Sequence, residues 1–387
     1  MIRYLILVFS AWSVWVVQAQ TSPNIQSVSI EADGNFEGYD LIEIDRNQLF
    51  VLAEHWHNIQ SVPEATLKMI RYLHKHASVR ILAIEQGASA AYMINSYLES
   101  GDTVKLRQIA RNTLFWGKEN WKFFEDLRAF NLSLPFEDRV FVKSIDIEYK
   151  MASAIFVINE LIGEKEIPEP LEKTVGSFKQ IFEDTRAHRE SFQGLSVMHY
   201  YDREVIQSLV LLTIDEMEQK SEAYTNFFGD DFIQFATMIL DMDDGLTFDY
   251  TNPNQNYKFR DRLIYDKFIS LTDEYPDKGI LCVIGMRHAT KNSSIYQLNN
   301  LKSSPLYKKV CIIKISALLN KAITSTDLKH FNFNYPKHLK VNPATLIKHT
   351  DDDAALKSSK DFDYTLFINR SGELTPFENV YKREYRD

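Results

Sequence analysis

The stretch Leu49-Phe50-Val51-Leu52-Ala53-Glu54-His55-Trp56-His57 joins an apolar run directly to a dense polar cluster. The run predicts a buried strand. Burying a carboxylate and two imidazoles at the end of such a strand costs free energy unless these groups bind a partner or take part in a functional site. In open α/β sheets, ligands bind just past the carboxyl ends of the strands. The stretch therefore predicts one corner of a functional site.

Three further strands are predicted to end beside an ionisable residue. They cover residues 79–85, ending in Glu85, residues 140–146, ending in Asp146, and residues 279–284, leading to His288. Helical patterns separate them, so the order of elements predicts an α/β fold with a mostly parallel central sheet flanked by helices. Because parallel strands end at the same edge of a sheet, we expect these side chains to gather there.

The remaining segments predict a single domain over residues 20–387. A long, mostly helical stretch is expected to form an insertion that caps the carboxyl edge of the strands. The predicted segments are a loosely ordered lead-in at 20–40, a first strand at 42–53, the insertion at about 151–245, a helix at 257–271, and strands at 309–315 and 363–368.

The first residues predict export from the cytoplasm. Arg3 precedes an apolar segment, Tyr4 to Val17, and Val17-Gln18-Ala19 resembles a small-residue cleavage site. We expect a signal peptide over residues 1–19, a periplasmic or secreted protein, and no stable membrane insertion after cleavage. The alternative is an uncleaved anchor, for which the segment is short.

The charge and the cysteine content of the chain limit the classes of function that it could have. The net charge of -9 and the absence of a long basic run argue against nucleic-acid binding. The two cysteines, Cys282 and Cys311, each lie in an apolar run and predict core thiols. A disulfide between them requires that their strands bring the two Cβ atoms together.

Several of these residues resemble motifs of the erythromycin esterase family. Ala53-Glu54-His55-Trp56-His57 resembles its G-E-x-x-H motif, with Ala53 at the position of the glycine, and Glu85 resembles its next strand-end glutamate. The other resemblances are Phe259-Arg260-Asp261-Arg262 to its R-D helix motif, Gly285-Met286-Arg287-His288 to its H-N-x-H motif, and Tyr364 to Asn369 to its last strand.

One motif departs from that family. Gly285 stands where the H-N-x-H motif has its first histidine, so that only His288 is present. Gly285-x-x-His288 is similar instead to the G-x-x-H form of the haem-binding-uptake and Tiki-like families.

The resemblance implies ester or lactone hydrolysis of a small-molecule substrate, with no covalent intermediate and no cofactor. His57 is the expected general base, because an imidazole titrates near neutral pH. Glu54 and Glu85 are expected to orient His57 or to hold the water. His288 is expected to stabilise the oxyanion or to protonate the leaving alcohol. Arg260 is expected to position the substrate, and its alternative role is a salt bridge to a neighbouring helix.

Two alternatives use the same residues differently. In the first, His57, Glu85 and His288 bind a divalent metal ion that activates water for ester or peptide cleavage. In the second, His57 or His288 is an axial ligand of non-covalently bound haem in an uptake protein without catalysis. His55 is a weaker site candidate than His57, because the family motif leaves its position open.

Other candidate sites have simpler interpretations. The chain has no G-x-S-x-G, so no serine nucleophile is indicated. The acidic run from Asp241 to Gly245 lacks the glutamate of a calcium loop and is predicted to end a helix. The aromatic residues expected in the core, some of them lining a pocket, are Trp116, Trp121, Phe123 and Phe124.

Overall fold

Eight strands form one sheet in the computed structural model of the protein, which describes residues 25–31, 33–54, 57, 59–112, 117–188, 203–248, 253–319, 344–349, 361–371 and 375. The strands are β1 Ile25–Ser27, β2 Leu49–Glu54, β3 Val79–Ile84, β4 Phe141–Ser144, β5 Gly279–Gly285, β6 Val310–Leu319, β7 Ala344–Lys348 and β8 Tyr364–Ser371. The predicted signal peptide, His55 and Trp116 lie outside the described residues, so those expectations stay predictions.

The sheet is mostly parallel, as predicted. Its strand order is β1-β7-β8-β6-β2-β5-β3-β4. The six strands from β8 to β4 run parallel to one another, whereas β7 is antiparallel to both β8 and β1. A parallel sheet covered on both faces needs strands that are apolar on both sides, and β2 meets this requirement with five consecutive buried residues, Leu49 to Ala53.

Helices cover both faces of the sheet, and alternate residues of β2 pack against different layers. Phe50 and Leu52 belong to a core cluster with residues of the helices that follow β2, β3 and β4, whereas Leu49, Val51 and Ala53 pack in a second cluster with Ile264 and its neighbours. The helices are α1 Val62–Ala77, α2 Ala88–Ser100, α3 Thr103–Asn112, α4 Lys118–Leu132, α5 Met151–Ile162, α6 Ser177–His188, α7 Arg203–Gln219, α8 Ser221–Phe228, α9 Phe232–Thr247, α10 Pro253–Glu274 and α11 Ser294–Asn300.

The helices from α5 to α9 occupy the stretch that was predicted to form the helical insertion. Asp241 of α9 links these helices to the loop after β4 and to the start of α2, because its backbone oxygen accepts a hydrogen bond from Glu148 N at 3.2 Å and its Oδ2 accepts one from Ala88 N at 3.1 Å. The acidic run from Asp241 to Gly245 lies within α9, which ends two residues later. Among the described helices, none is long and apolar enough to cross a bilayer.

The structure departs from the sequence-based expectations at the amino-terminal part of the sheet. The strand predicted to start at Ile42 starts at Leu49, because a turn closed by a hydrogen bond from Asn47 N to Ile44 O at 3.1 Å lies between these residues. The lead-in expected to be loosely ordered contains β1, which pairs with β7, a strand that the sequence did not reveal. Three residues of β1 give too short a pattern to recognise.

The two cysteines are free and buried. Cys282 of β5 lies beside Val51, and Cys311 of β6 lies beside Phe50. Strand β2 therefore separates them, and successive residues of β2 point to opposite faces, so the thiols lie in different core clusters. This geometry excludes the disulfide in this fold.

Candidate active site

The end of β2 presents a carboxylate and an imidazole that bind each other. The Nδ1 atom of His57 lies 2.8 Å from Glu54 Oε1, and their side chains are 38% and 12% exposed. The hydrogen bond with Glu54 raises the pKa of His57, and burial works against this shift. Burial in turn raises the pKa of Glu54. An ionised carboxylate only accepts hydrogen bonds, so Nδ1 carries the proton and Nε2 carries the lone pair of the neutral ring.

Glu85 follows β3 and is the centre of a buried group of charges. Its Oε2 accepts a hydrogen bond from Gly285 N at 2.5 Å, and its Oε1 lies 2.5 Å from Arg260 Nη2 and 3.4 Å from His288 Nε2. Burial works to raise the pKa of Glu85, but the hydrogen bond with His288 and the charge of Arg260 outweigh it and lower the pKa to about 2. Glu85 is therefore ionised throughout the neutral range.

Arg260 links two strand ends. Its Nε donates to Asp146 Oδ1 at 2.8 Å, its Nη2 donates to Asp146 Oδ2 and to Glu85, and Asp146 is fully buried. Its guanidinium also lies 5.3 Å from the ring centre of Tyr149. Among the described residues, none accepts a hydrogen bond from the remaining nitrogen, Nη1. The salt-bridge partners are thus strand-end carboxylates rather than a neighbouring helix.

His288 lies in a 3-10 turn, Met286–Ala289, after β5 and is only 3% exposed. Its Nδ1 is 2.6 Å from Asp261 Oδ1, and its Nε2 faces Glu85. Burial works to lower the pKa of His288, but the two carboxylates outweigh it and raise the pKa to about 9. His288 is therefore an imidazolium at neutral pH. We refer to Glu85, Asp146, Arg260, Asp261 and His288 as the Glu85 network.

Gly285 lies where the Glu54–His57 pair and the Glu85 network approach each other. A Cβ atom at this position would lie 3.2 Å from His57 Cε1, 3.4 Å from His57 Nε2 and 3.3 Å from Glu85 Oε2. Glu54 is also the residue of β2 that lies opposite Gly285 in the sheet. Glu54, His57, Glu85 and His288 thus meet at the carboxyl edge of β2, β3 and β5, as the strand-end argument expected, and Arg260 of α10 reaches the same edge.

A cavity of about 530 Å3 opens over this edge. Its polar end contains Glu54, His57, Glu85 and Arg260, and His288 lies behind them rather than in the lining. Most of its other walls are apolar side chains of the first strands and helices, including Leu82, Met93, Ile94, Phe123 and Phe124. Phe123 and Phe124 therefore both pack in the core and line the cavity, as the sequence had allowed.

Two residues of the site were missed as candidates. Asp261 was quoted as part of the R-D motif but given no role, and it binds His288. Glu148, two residues after the predicted strand end at Asp146, lines the cavity and is 2% exposed. Its sequence signal was weak, because an acid two residues beyond a strand is ordinarily a surface or capping group.

The metal-binding alternative depends on the arrangement of donor side chains. Within the described ranges, no group of three or more His, Cys, Asp and Glu side chains is arranged to hold a metal ion. Of the three ligands suggested by the sequence, His288 has carboxylates at both ring nitrogens and Glu85 is bound to Arg260 and Gly285. Metal dependence stays a prediction, to be decided by experiment.

Comparison with known proteins identifies the fold. No protein family and no curated protein matches the sequence. A mutant of erythromycin esterase EreC in its open conformation is 12% identical, with a TM-score of 0.61 over 90% of this chain and 98% of that chain. A succinoglycan biosynthesis protein is 12% identical and a Bacillus cereus protein is 13% identical, each with a TM-score of 0.59 over 91% of this chain and 96% of the other. The chain therefore shares the fold of these proteins.

Proposed function

We propose that the chain is a hydrolase that cleaves an ester or lactone bond of a small molecule by general-base activation of water. The observation that carries this proposal is the Glu54–His57 pair at the polar end of an apolar cavity that Arg260 also lines. The fold shared with an erythromycin esterase supports this class of chemistry.

His57 is the proposed general base. Glu54 binds Nδ1 and so fixes both the tautomer and the orientation of the ring. The neutral ring accepts a proton from water at Nε2, and the hydroxide formed attacks the carbonyl carbon. The negative charge of Glu54 stabilises the imidazolium that results. The pKa of His57 is raised, so His57 becomes neutral, and able to act as a base, at a higher pH than an ordinary histidine.

Arg260 is the proposed oxyanion stabiliser. Its Nε and Nη2 are held by Asp146 and Glu85, which fixes the plane of the guanidinium, and the side chain lines the cavity. A fixed cationic donor in a site of low dielectric stabilises charge that develops on the carbonyl oxygen. In this scheme Glu85 and His288 position Arg260 and the backbone of Gly285. His288 is not the oxyanion donor, because carboxylates lie at both of its ring nitrogens.

The test is hydrolysis of a panel of esters and lactones by the purified protein and by His57→Ala. We expect the substitution to lower kcat by about 10²- to 10⁴-fold, the usual contribution of a general base. His76→Ala is the matched control, because His76 is exposed at the end of α1 and does not line the cavity. Equal activity of His57→Ala and the unaltered protein would refute the role of His57.

A chelator added to the same assay separates the metal-free mechanism from the metal-dependent one. The proposal expects activity to survive the chelator. Loss of activity that a divalent ion restores would instead support a metallohydrolase. Absence of hydrolysis throughout the panel, with haem binding seen by visible absorbance, would support the uptake protein.

We also propose that the protein is exported and that its first 19 residues are removed. The support is the sequence alone: Arg3, the apolar segment after it and Val17-Gln18-Ala19. Expression of the full chain in a bacterial host, followed by sequencing of the amino terminus of the periplasmic or secreted product, tests this. A product that retains Met1 in the membrane fraction would indicate the uncleaved anchor.

A further inference from the structure

Glu148 is a carboxyl group of the cavity to which the mechanism above gives no task. It lies in the loop between β4 and α5 and is 2% exposed. Its Oε1 accepts a hydrogen bond from Lys150 N at 2.8 Å, and its Oε2 accepts one from Ser89 N at 3.1 Å, in the first turn of α2. Backbone groups of two different elements therefore hold this carboxyl in one position at the cavity wall.

Two glycines make the space that Glu148 occupies. A Cβ atom on Gly87 would lie 2.5 Å from Glu148 Oε2, and one on Gly245 of α9 would lie 2.0 Å from the backbone oxygen of Glu148. Neither distance is possible for a real Cβ contact, so a larger residue at either position would displace Glu148. Glycine at 87 and 245 thus lets the chain place a carboxyl group on the cavity wall beside Gly87 and the first turn of α2.

The surroundings of Glu148 oppose its ionisation. Burial raises the pKa of Glu148 to about 7, although hydrogen bonds from Ser89 and Lys150 favour the ionised form. Asp241 of α9 also faces Glu148 and raises its pKa, and Lys267 of α10 is bound to Asp241. Lys150 is the neighbouring cation on its own segment. A carboxyl group in this environment exists in both protonation states near neutral pH, unlike Glu85, which stays ionised.

Ester cleavage requires a proton for the departing alcohol oxygen. The imidazolium formed at His57 is one donor, and a protonated carboxyl group on the cavity wall is another. When the carbon–oxygen bond of the tetrahedral intermediate breaks, its electrons stay on the alcohol oxygen. An aliphatic alkoxide is a much stronger base than a phenolate and leaves poorly unless an acid protonates it as it departs. His288 lies behind the cavity lining with both nitrogens bound to carboxylates.

We propose that Glu148 is the general acid of the site and that the enzyme acts on esters or lactones of aliphatic alcohols. This inference rests on the proposed hydrolase function. Water gives one proton to His57 and its hydroxide to the carbonyl carbon, and Glu148 gives its proton to the departing alcohol oxygen. The proton on His57 then returns through solvent to Glu148, so that one water is consumed and one acid and one alcohol are released. The apolar cavity walls suit the hydrocarbon part of such a substrate.

The decisive test compares two substrates that share one acyl group. One is a 4-nitrophenyl ester, whose phenolate leaves without protonation. The other is an alkyl ester, whose alkoxide must be protonated as it leaves. In Glu148→Gln we expect kcat/KM for the alkyl ester to fall about 100-fold or more, the usual contribution of a general acid, while the nitrophenyl ester changes by less than about threefold. Glu137→Gln, at an exposed glutamate of a surface turn, is the matched control.

Each other result overturns the assignment of Glu148. Equal losses with both esters would show that Glu148 acts in binding or folding, and no loss with either would show that it has no role. If the unaltered protein hydrolyses neither ester, the hydrolase proposal fails for this substrate class and the role of Glu148 fails with it. If it hydrolyses both and Glu148→Gln does too, only the role of Glu148 fails.

A second measurement uses the unaltered protein and does not depend on whether the variant folds. An acid must be protonated to act, so kcat/KM for the alkyl ester should fall as the pH rises through the pKa of Glu148, near 7. The nitrophenyl ester should show no such decrease. The same alkaline decrease with both esters, or with neither, would contradict a proton transfer from Glu148 to the leaving group.

Discussion

Two groups of ionisable residues share one edge of the sheet. In the Glu54–His57 pair, a single hydrogen bond joins a carboxylate to a partly exposed imidazole. In the Glu85 network, each charged side chain contacts at least one of opposite charge, and Arg260 and His288 each contact two carboxylates. Glu85 and His288 of the network keep their charges across the neutral range, whereas His57 of the pair changes its protonation state during the proposed reaction. The difference indicates which residues support the site and which transfer protons.

The largest effect on stability is expected from breaking the network. Arg260→Ala leaves Glu85 and Asp146 buried without their cation, which ordinarily costs about 3–5 kcal/mol of unfolding free energy. Denaturant unfolding measures this loss. Arg262→Ala is the matched control on the same helix, because its ion pair with Asp266 is long and exposed, and we expect no measurable change. Equal stability of the two variants would contradict the distinction.

The second largest effect on stability is expected from alkaline pH, which should weaken the Glu85 network. The pKa of His288 is raised from 6.5 to about 9, so its contribution is complete below pH 6.5 and is lost as the pH rises through 9. The shift corresponds to about 3 kcal/mol. Unfolding free energies measured from pH 6 to 10 should show this decrease, and His57→Ala should retain most of it. A flat profile in the unaltered protein would show that His288 is not held as an imidazolium.

A substitution in the Glu54–His57 pair is expected to change the activity and its pH dependence. Glu54→Gln removes the negative charge that raises the pKa of His57, so the acidic limb of kcat/KM should move to lower pH. The plateau should fall about tenfold, because the amide stabilises the imidazolium less well. A full pH profile measures both effects. An acidic limb that stays in place would indicate that another group acts as the base.

The smallest effect on activity is expected at Gly285, where the Glu54–His57 pair and the Glu85 network approach each other. A methyl group at Gly285 would lie within 3.4 Å of His57 and Glu85, so one of them must shift by a few tenths of an ångström. We expect Gly285→Ala to lower kcat/KM by about 3- to 10-fold, since a misplacement of 1 Å can cost 100-fold. Gly34→Ala is the control, because nothing lies within 4 Å of its added Cβ. Unchanged activity in Gly285→Ala would show that His57 tolerates the crowding.

Much of this arrangement could be predicted from the sequence. The apolar run before Glu54 and the alternation of strands and helices were sufficient to predict a parallel sheet with its acids and imidazoles at one edge. The pattern also indicated the mostly helical segment between β4 and α10. These predictions succeeded because they rest on local periodicity and on the common direction of parallel strands.

The remaining features depend on contacts between distant residues. No local pattern reveals that Asp261 binds His288 rather than facing solvent, or that Gly87 and Gly245 leave room for Glu148. Strand β1 pairs with β7, more than 300 residues later in the chain, and neither is long enough to be recognised alone. The role that we propose for His288 differs from the one expected from the sequence, because two carboxylates meet it only in the folded protein.

The position of β2 at the middle of the sheet also has a consequence for synthesis. Both of its neighbours, β5 and β6, come from the last third of the chain. A growing chain therefore carries an apolar strand without its partners until residues beyond Val310 have been made. Contacts so distant in sequence slow folding and expose aggregation-prone segments. Shortened versions of the protein that end before β6 should be insoluble, and truncation is a poor route to a minimal active fragment.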